Sequence, residues 1–216
     1  TLTFSLSGIT EAQKRIREKG KNLFSVPSSY CIIDIETTGL SPDFDSIIEV
    51  SAVKYVDGKE VGNFTSLIKP EETYDDGTYI DDFIEKLTGI TNEMLSNAPE
   101  PLPVFKQFKD FIGKNILIGH NVNFDINFLY DNFEYYLSEK LDNDFVDTMR
   151  FSRFIHPEEA HHRLKDLAER YKVDYSGSHR SLNDCYITHA CYEHLQKEMI
   201  QSFGSIESFI DSWKKH

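Results

Sequence analysis

Two carboxylates lie two positions apart within an otherwise apolar segment of the chain. Asp34 and Glu36 interrupt the β-branched run Cys31–Leu40. Because positions i and i+2 of a β-strand face the same side, both acids would project from one face of a strand. Neighbouring carboxylates repel each other and lose hydration on burial, a cost that a cation or a shared proton offsets. The pair therefore predicts half of a metal site, with a solvent-exposed strand end as the alternative.

A third acid, Asp125, lies in the first turn of a predicted helix. The preceding run Ile116–Gly119 predicts a short buried strand, so the segment is a strand-to-helix junction. A carboxylate is stabilised at a helix N-terminus, and this structural explanation stands beside a metal-binding role. His120 and Asn121 directly follow the predicted strand, which indicates a site at the same edge of the sheet.

A fourth acid, Asp184, lies on a predicted helix over residues 181–197. Extending the apolar stripe of this helix backwards by three residues reaches Asp184; the stripe consists of Ile187, Cys191 and Leu195. An acid on an apolar face is costly unless it is paired or bound to a cation. His179 precedes the helix by a short loop and can reach the same cleft.

Four acids with one nearby histidine suit the hydrolysis of phosphodiesters by two divalent metal ions. Mg²⁺ and Mn²⁺ prefer carboxylate oxygens, and the donor set does not distinguish between them. Two such ions about 4 Å apart activate water and stabilise the leaving oxygen. A histidine whose pKa is near neutrality can accept the proton of that water.

Composition narrows the class of protein. The chain has 216 residues, 39% of them hydrophobic, which suffices for one α/β core. Its three cysteines form no C-x-x-C pair, which indicates neither a disulfide framework nor a zinc knuckle and favours a reducing, cytoplasmic setting. No stretch approaches the roughly 20 apolar residues of a membrane span, so no membrane association is expected. The net charge of -13 argues against tight nonspecific duplex binding but not against a nucleic-acid enzyme, because bound metal ions invert the local field.

The hydrophobic pattern predicts an α/β fold: a mixed sheet with a three-stranded antiparallel start, then parallel strands, flanked by helices. Asp57-Gly58 favours a tight hairpin turn. The predicted strands are 30–36, Ile47–Val56, Val61–Ile68, Ile116–Gly119 and Asp144–Asp147. The predicted helices are Val104–Ile112, Phe124–Tyr136, Met149–Phe154, Leu164–Tyr171 and Ser181–Lys197.

The residues with candidate chemistry fall into three ordered motifs. These motifs are 34–40 (DIETTGL), 120–125 (HNVNFD) and 179–184 (HRSLND). With them, the chain resembles the DnaQ-like 3′–5′ exonucleases of the DEDDh type, which have a ribonuclease H-like fold. It is most similar to the proofreading exonucleases of bacterial DNA polymerase III, both the epsilon subunit and the PolC domain. Segments 87–91 and 147–148 also match, and the resemblance covers residues 29–198.

The resemblance implies a role for each matching residue. Asp34, Glu36 and Asp184 would bind two divalent metal ions, Asp125 would complete the site directly or through water, and His179 would be the general base. The residues that would hold the terminal nucleotide are Thr37, Leu40, His120, Asn121 and Phe124. For Phe124, core packing is an equally good interpretation.

Both termini extend beyond the matching region. We expect an N-terminal extension with a short basic helix over 10–19, an exonuclease domain and a C-terminal amphipathic helix, at residues 1–27, 28–200 and 201–216. A solvated face explains the basic helix better than a nucleic-acid patch does. For the C-terminal helix, packing against the domain is favoured over binding a partner. The first residue is Thr rather than Met, which leaves open whether the chain is a piece of a longer polypeptide.

The sequence therefore predicts a metal-dependent exonuclease that releases nucleoside monophosphates from the 3′ end of single-stranded DNA, in proofreading or repair. The partner implied is a DNA polymerase subunit or domain. One alternative is an RNA-trimming exonuclease of the ribonuclease T or oligoribonuclease kind. The other is an inactive module that binds a polymerase as a scaffold.

Overall fold

A computed structural model describes residues 16–215 of the chain and contains a mixed sheet. The strands are β1 (Asn22–Leu23), β2 (Ser29–Thr37), β3 (Ile47–Val56), β4 (Lys59–Leu67), β5 (Ile116–Gly119) and β6 (Phe145–Asp147). Their order across the sheet is β1-β6-β5-β2-β3-β4. The longest strands, β2 and β3, therefore lie beside each other in its interior.

The sheet is antiparallel on one side and parallel on the other. β2, β3 and β4 pair antiparallel, whereas β5 pairs parallel with β2, β6 with β5, and β1 with β6. Asp57 and Gly58 join β3 to β4 with φ angles of 49° and 73°, as the primed turn of a tight hairpin requires. The predicted fold class is confirmed.

Helices cover both faces of the sheet. They are α1 (Asp82–Thr88), α2 (Asn92–Ser96), α3 (Pro101–Ile112), α4 (Asn123–Asn132), α5 (Thr148–Ile155), α6 (Leu164–Tyr171), α7 (Ser181–Phe203) and α8 (Ile206–Trp213), with a π-helical turn at Phe133–Leu137 after α4. Among residues 16–215, no helix combines the length and apolar character needed to cross a membrane.

Two apolar clusters lie on opposite faces of the sheet, and alternation along β2 assigns its side chains to them. Cys31 and Ile33 pack into the cluster formed with α3 and α4, whereas Ile32 packs into the one formed with α7 and α8. Asp34 and Glu36 continue the series of Ile32 and therefore lie on the α7 face. The strand period thus decides which helix meets the two acids.

The N-terminal segment differs from the prediction. Residues 16–20 are irregular, so the described part of the helix predicted over 10–19 is not helical, while residues 10–15 lie outside the described residues. Arg17 Nε donates to Asp131 Oδ1 on α4 at 2.8 Å. So short a segment has little helical stability of its own, and contacts with the domain determine its path instead.

Sequence patterns missed three short elements. β1 pairs with β6 although it falls in the predicted extension. α1 and α2 each depend on a capping side chain: Asp81 Oδ1 accepts from Ile84 N at 2.9 Å, and Thr91 Oγ1 accepts from Met94 N at 3.1 Å. Elements of two, seven and five residues contain too few positions to show a period.

The boundary between the last two helices also differs. α7 continues beyond the predicted end at Lys197 to Phe203, and Gly204, with φ of 82°, follows it. Residues 201–203 therefore belong to α7 rather than to the predicted C-terminal helix, which is the shorter α8. A left-handed backbone angle is readily adopted only by glycine, so Gly204 separates the two helices.

The C-terminal helix packs against the domain, as expected. Phe209 of α8 is fully buried, with its ring centroid 5.1 Å from that of Phe24 and 5.8 Å from that of Phe151. Trp213 stacks on Phe24 at 4.4 Å. α8 and the segment after β1 thereby complete one apolar cluster together.

Phe209→Ala should lower the free energy of unfolding by about 3–5 kcal/mol, because it removes a buried ring and leaves a cavity. Urea unfolding followed by circular dichroism would measure this change. The half-exposed Ile200→Ala on α7 is the matched control, with an expected loss well below that of Phe209→Ala. Equal losses for both variants would contradict the packing of α8 described above.

Candidate active site

Three carboxylates converge where β2 meets the first turn of α7. One oxygen each of Asp34, Glu36 and Asp184 lies within 4.8 Å of the others. The first two share a face of β2, and the third begins the inward stripe of the helix that covers that face. The structure thus brings together acids that are about 150 positions apart in the sequence. The periods of a strand and a helix predict which way each acid faces, but not that the acids lie close together.

Asp125 reaches the same region from the N-terminus of α4. Its Oδ1 accepts a hydrogen bond from the backbone N–H of Ile35 at 3.2 Å, and the residue is 5% exposed. β5 pairs with β2 only as far as Ile32, so the carboxylate satisfies a strand N–H beyond the end of β5. This bond places Asp125 beside the backbone that joins Asp34 to Glu36.

His179 lies in the loop immediately before α7 with a left-handed backbone, φ 66°. Its backbone N–H donates to Asp184 Oδ2 at 3.0 Å. A non-glycine residue in this conformation is strained, and such strain concentrates at functional sites. The hydrogen bond fixes the histidine backbone relative to one of the clustered acids.

Burial and mutual repulsion raise the carboxyl pKa values. Burial, with the charge of Asp184 adding to it, raises the pKa of Glu36 to about 8, while the guanidinium of Arg180 opposes this shift. Burial likewise raises the pKa of Asp125 to about 8 and that of Asp184 above its usual value. The pKa of Asp34 is raised well above its usual value by burial and by the charge of Asp125. Each shift reflects the cost of a negative charge without a compensating cation.

The donor set fits divalent cations. Asp184 Oδ1 is buried and has no hydrogen-bond partner among the described residues. Asp34, Glu36 and Asp184 supply only carboxylate oxygens, which hard cations such as Mg²⁺ and Mn²⁺ prefer. The free oxygen of Asp184 could coordinate a cation at this position, and the positive charge would also offset the repulsion among the carboxylates.

A buried acid on the neighbouring strand was missed by sequence reasoning. Glu49 is 2% exposed and pairs directly with Glu36 across β2 and β3. It accepts hydrogen bonds from Arg180 and from the backbone of Ser181. The available signal was its position inside the apolar run Ile47–Val56, where an acid needs a partner.

His120 makes both of its ring contacts within the protein. Nε2 lies 2.7 Å from the carbonyl oxygen of His162, and Nδ1 lies 2.9 Å from Thr148 Oγ1. A carbonyl only accepts, so Nε2 carries the proton. Burial lowers the pKa of His120 to about 4, which keeps the ring neutral. His120 therefore fastens the loop at His162 and the start of α5 to the end of β5.

Asn121 follows with a left-handed backbone, φ 58°. Its N–H donates to Asp147 Oδ1 at 2.9 Å, and the same oxygen accepts from Met149 N at the start of α5. The side chain of Asp147 thus caps α5 and holds the Asn121 turn. The loop that joins β5 to α4 is anchored on β6 by this contact.

The other residues expected to hold a nucleotide differ in exposure. Thr37 ends β2, and its hydroxyl donates to the carbonyl of Gly39 at 2.6 Å. Leu40 is 85% exposed on the loop after β2. Phe124 is half-buried, with its ring centroid 4.9 Å from that of Phe128. The packing alternative for Phe124 is thus realised, while the residue keeps part of its surface exposed.

Comparison with known proteins identifies the family. A family model described as "Exonuclease" matches residues 31–192. The DNA polymerase III PolC-type protein of Latilactobacillus sakei is 39% identical over 179 residues, which are 83% of this chain and 12% of that protein. The chain belongs to the DnaQ-like exonuclease family. It spans about an eighth of the length of the curated relatives it matches.

Solved exonuclease structures share the fold. Exonuclease X in complex with 5′ overhanging duplex DNA aligns with a TM-score of 0.62 and 24% identity, over 84% of this chain and 98% of that one. E. coli Exonuclease I in complex with a dA16 oligonucleotide aligns with a TM-score of 0.70 and 18% identity, over 88% of this chain and 44% of that one. The exonuclease family is metal-dependent, in agreement with the acidic cluster.

The raised pKa values predict how stability depends on pH in EDTA. Above about pH 7, where histidines are neutral in both states, the folded domain binds more protons than the unfolded chain, because Glu36 and Asp125 keep pKa values of about 8. The melting temperature should therefore fall as pH rises from about 7 to about 9. Mn²⁺ binds the ionised carboxylates and should raise the melting temperature more at the higher pH.

Two variants make this thermal-melting experiment specific. Asp125→Asn removes one raised carboxyl and should flatten the dependence on pH. Asp142→Asn should leave it unchanged, because the hydrogen bond with Lys114 lowers the pKa of Asp142 and keeps this exposed acid ionised across the range. A melting temperature independent of pH in EDTA would contradict the electrostatic description of the cluster.

Proposed function

We propose that this domain is a 3′–5′ exonuclease that removes nucleoside monophosphates from the 3′ end of single-stranded DNA with two divalent metal ions, Mg²⁺ or Mn²⁺. The observation that carries the proposal is the convergence of the carboxylate oxygens of Asp34, Glu36 and Asp184. Membership of the exonuclease family supports hydrolysis of a terminal phosphodiester. Asp125 and His179 complete the set of residues that the chemistry requires.

The four acids and His179 have different roles in the proposed hydrolysis. Bound divalent cations would supply Lewis-acid activation of water and stabilisation of the leaving oxygen. Asp34, Glu36 and Asp184 would hold the cations, and Asp125 would complete the site directly or through water. His179 accepts the proton of the attacking water as general base. Its backbone bond to Asp184 fixes the main chain of His179 relative to the cluster.

The loop after β2 is suited to hold the terminal nucleotide. Asp45 ties the loop together by accepting from Ser41 N at 2.8 Å and from Thr38 Oγ1 at 3.3 Å. Leu40 is thereby presented to solvent from an ordered loop, near Glu36 in sequence. We propose that Leu40, Thr37 and the exposed part of Phe124 contact the last nucleotide. We propose that His120 and Asn121 also contribute to holding this nucleotide, from the junction of β5 and α4 that the contacts described above keep in place.

The cellular setting is inferred from the relatives. The PolC-type proteins are DNA polymerases, and this chain matches only a small part of their length. We propose that the domain proofreads or repairs DNA in the cytoplasm together with a polymerase subunit or domain. DNA is favoured over RNA as the substrate because these relatives are DNA polymerases.

A time course on 5′-labelled single-stranded DNA and on RNA of matched sequence tests the proposal. With Mn²⁺, the DNA should give a descending ladder, and EDTA should abolish it. Asp34→Ala should slow cleavage by about 10³-fold or more, because the acids act as a unit, whereas the exposed Asp75→Ala should cleave normally. A ladder mainly on RNA would favour RNA trimming, and no metal-dependent cleavage of either would favour the scaffold.

His179→Ala tests the general base separately from the cations. Loss of a positioned base should lower kcat by about 10²–10⁴-fold, while the acids still bind Mn²⁺. Single-turnover kinetics and a Mn²⁺ titration measure the two properties. His161→Ala, on an exposed loop, is the control. An unchanged kcat in His179→Ala would assign the proton transfer to another group.

A further inference from the structure

Glu49 lies beside the acidic cluster, but its oxygens are not among those that converge there. It pairs with Glu36 across the antiparallel strands, so the two side chains share a face of the sheet. The oxygens that converge belong to Asp34, Glu36 and Asp184. An acid that is 2% exposed and next to three others requires strong compensation.

That compensation comes from two consecutive residues at the start of α7. Arg180 Nε lies 3.1 and 3.2 Å from the two carboxylate oxygens of Glu49, and Arg180 Nη2 lies 2.6 Å from Oε1. The backbone N–H and hydroxyl of Ser181 donate to Oε2 at 2.8 and 3.0 Å. Glu49 is therefore saturated with hydrogen bonds, which leaves it to anchor the helix rather than to bind a cation.

Glu49 contacts the N-terminal end of α7, where Asp184 lies. The first N–H groups of a helix have no partner within it, and Arg180 makes no side-chain cap of its own. Glu49 supplies the cap from a different element, and its negative charge suits a helix N-terminus. Ser51 on the same strand adds a second bond, with its hydroxyl 2.7 Å from that of Ser181. β3 thus holds the first turn of α7 at two points.

The two residues fixed in this way lie between the candidate base and a candidate cation ligand. Arg180 directly follows His179, and Ser181 is three residues before Asp184. The hydrogen bond from His179 N to Asp184 Oδ2 closes the same turn. A shift of this turn relative to β3 would therefore move the base and the ligand together, away from the acids of β2.

We propose that Glu49 and Arg180 are positioning residues that set His179 and Asp184 against Asp34 and Glu36. The inference rests on the proposed function. Bidentate contact with both oxygens of Glu49 requires the planar guanidinium of arginine. Misplacement of reacting groups by about 1 Å costs on the order of 10²-fold in rate. The pair therefore acts on kcat and on cation affinity and leaves substrate affinity unchanged.

The test combines kinetics on single-stranded DNA with Mn²⁺ binding followed by electron paramagnetic resonance. Glu49→Gln, of nearly equal volume, should lower kcat by about 10–100-fold and weaken Mn²⁺ binding by about 10-fold, while KM changes by less than about threefold. Arg180→Ala should behave alike, and added guanidinium ion should restore part of its kcat. Arg180→Lys should be intermediate, because an ammonium group cannot bridge both oxygens in the same way.

Arg150→Ala is the matched control, since Arg150 Nη1 donates to Asn22 Oδ1 at 2.6 Å on β1, away from the acids. It should keep the wild-type kcat and show no response to guanidinium. Wild-type kcat and Mn²⁺ affinity in Glu49→Gln would overturn the proposal. A rise in KM alone in Arg180→Ala would also overturn it and assign Arg180 to the DNA phosphates.

The two proposals fail in distinguishable ways. If the wild-type protein cleaves no substrate, the proposed function fails, and Mn²⁺ affinity alone decides the positioning role. Weaker Mn²⁺ binding by Glu49→Gln with an unchanged circular dichroism spectrum would then support that role, and unchanged binding would overturn it. If Arg180→Ala does not fold, Glu49→Gln and Arg180→Lys provide the same comparison.

Discussion

Carboxylates crowded together at a poorly solvated site repel one another, and much of this domain is arranged around holding them there. Asp34 and Glu36 lie on one strand, Asp125 on one helix and Asp184 on another. In each case burial raises the carboxyl pKa. A divalent cation relieves the repulsion and the loss of hydration at once, so the property that destabilises the acids as a group is what suits them to bind metal.

Rigid backbone contacts keep the acids in place despite this repulsion. Asp125 accepts from the N–H of Ile35, and Asp184 accepts from the N–H of His179. Glu49 connects β3 to the start of α7. The first and third of these bonds join different elements, α4 to β2 and α7 to β3, while the second holds the loop residue His179 to the first turn of α7. The acids are therefore supported from the sheet and from helices on both of its faces, and regular elements define such positions more narrowly than loops do.

The regular part of the fold was accessible to sequence reasoning because it is periodic. The hairpin around Asp57-Gly58, the strand Ile116–Gly119 and the helix Leu164–Tyr171 occur as predicted. The failures have a common cause. β1, α1 and α2 are too short to display a period, and residues 16–20 follow contacts such as Arg17 with Asp131 rather than a local helical preference. Elements of this kind are stabilised by tertiary contacts, and a local sequence pattern carries no information about those contacts.

The candidate site divides in the same way. The sequence by itself determined which residue types recur at strand and helix spacing, and so singled out Asp34, Glu36 and Asp184 as acids that face inward. Only the tertiary structure decided that their oxygens lie within 4.8 Å of one another and that Glu49 is bound to the start of α7 rather than to the cluster. The physical reason is that the direction in which a side chain faces is a local property of the backbone. The distance between two side chains depends on how elements far apart in the sequence pack.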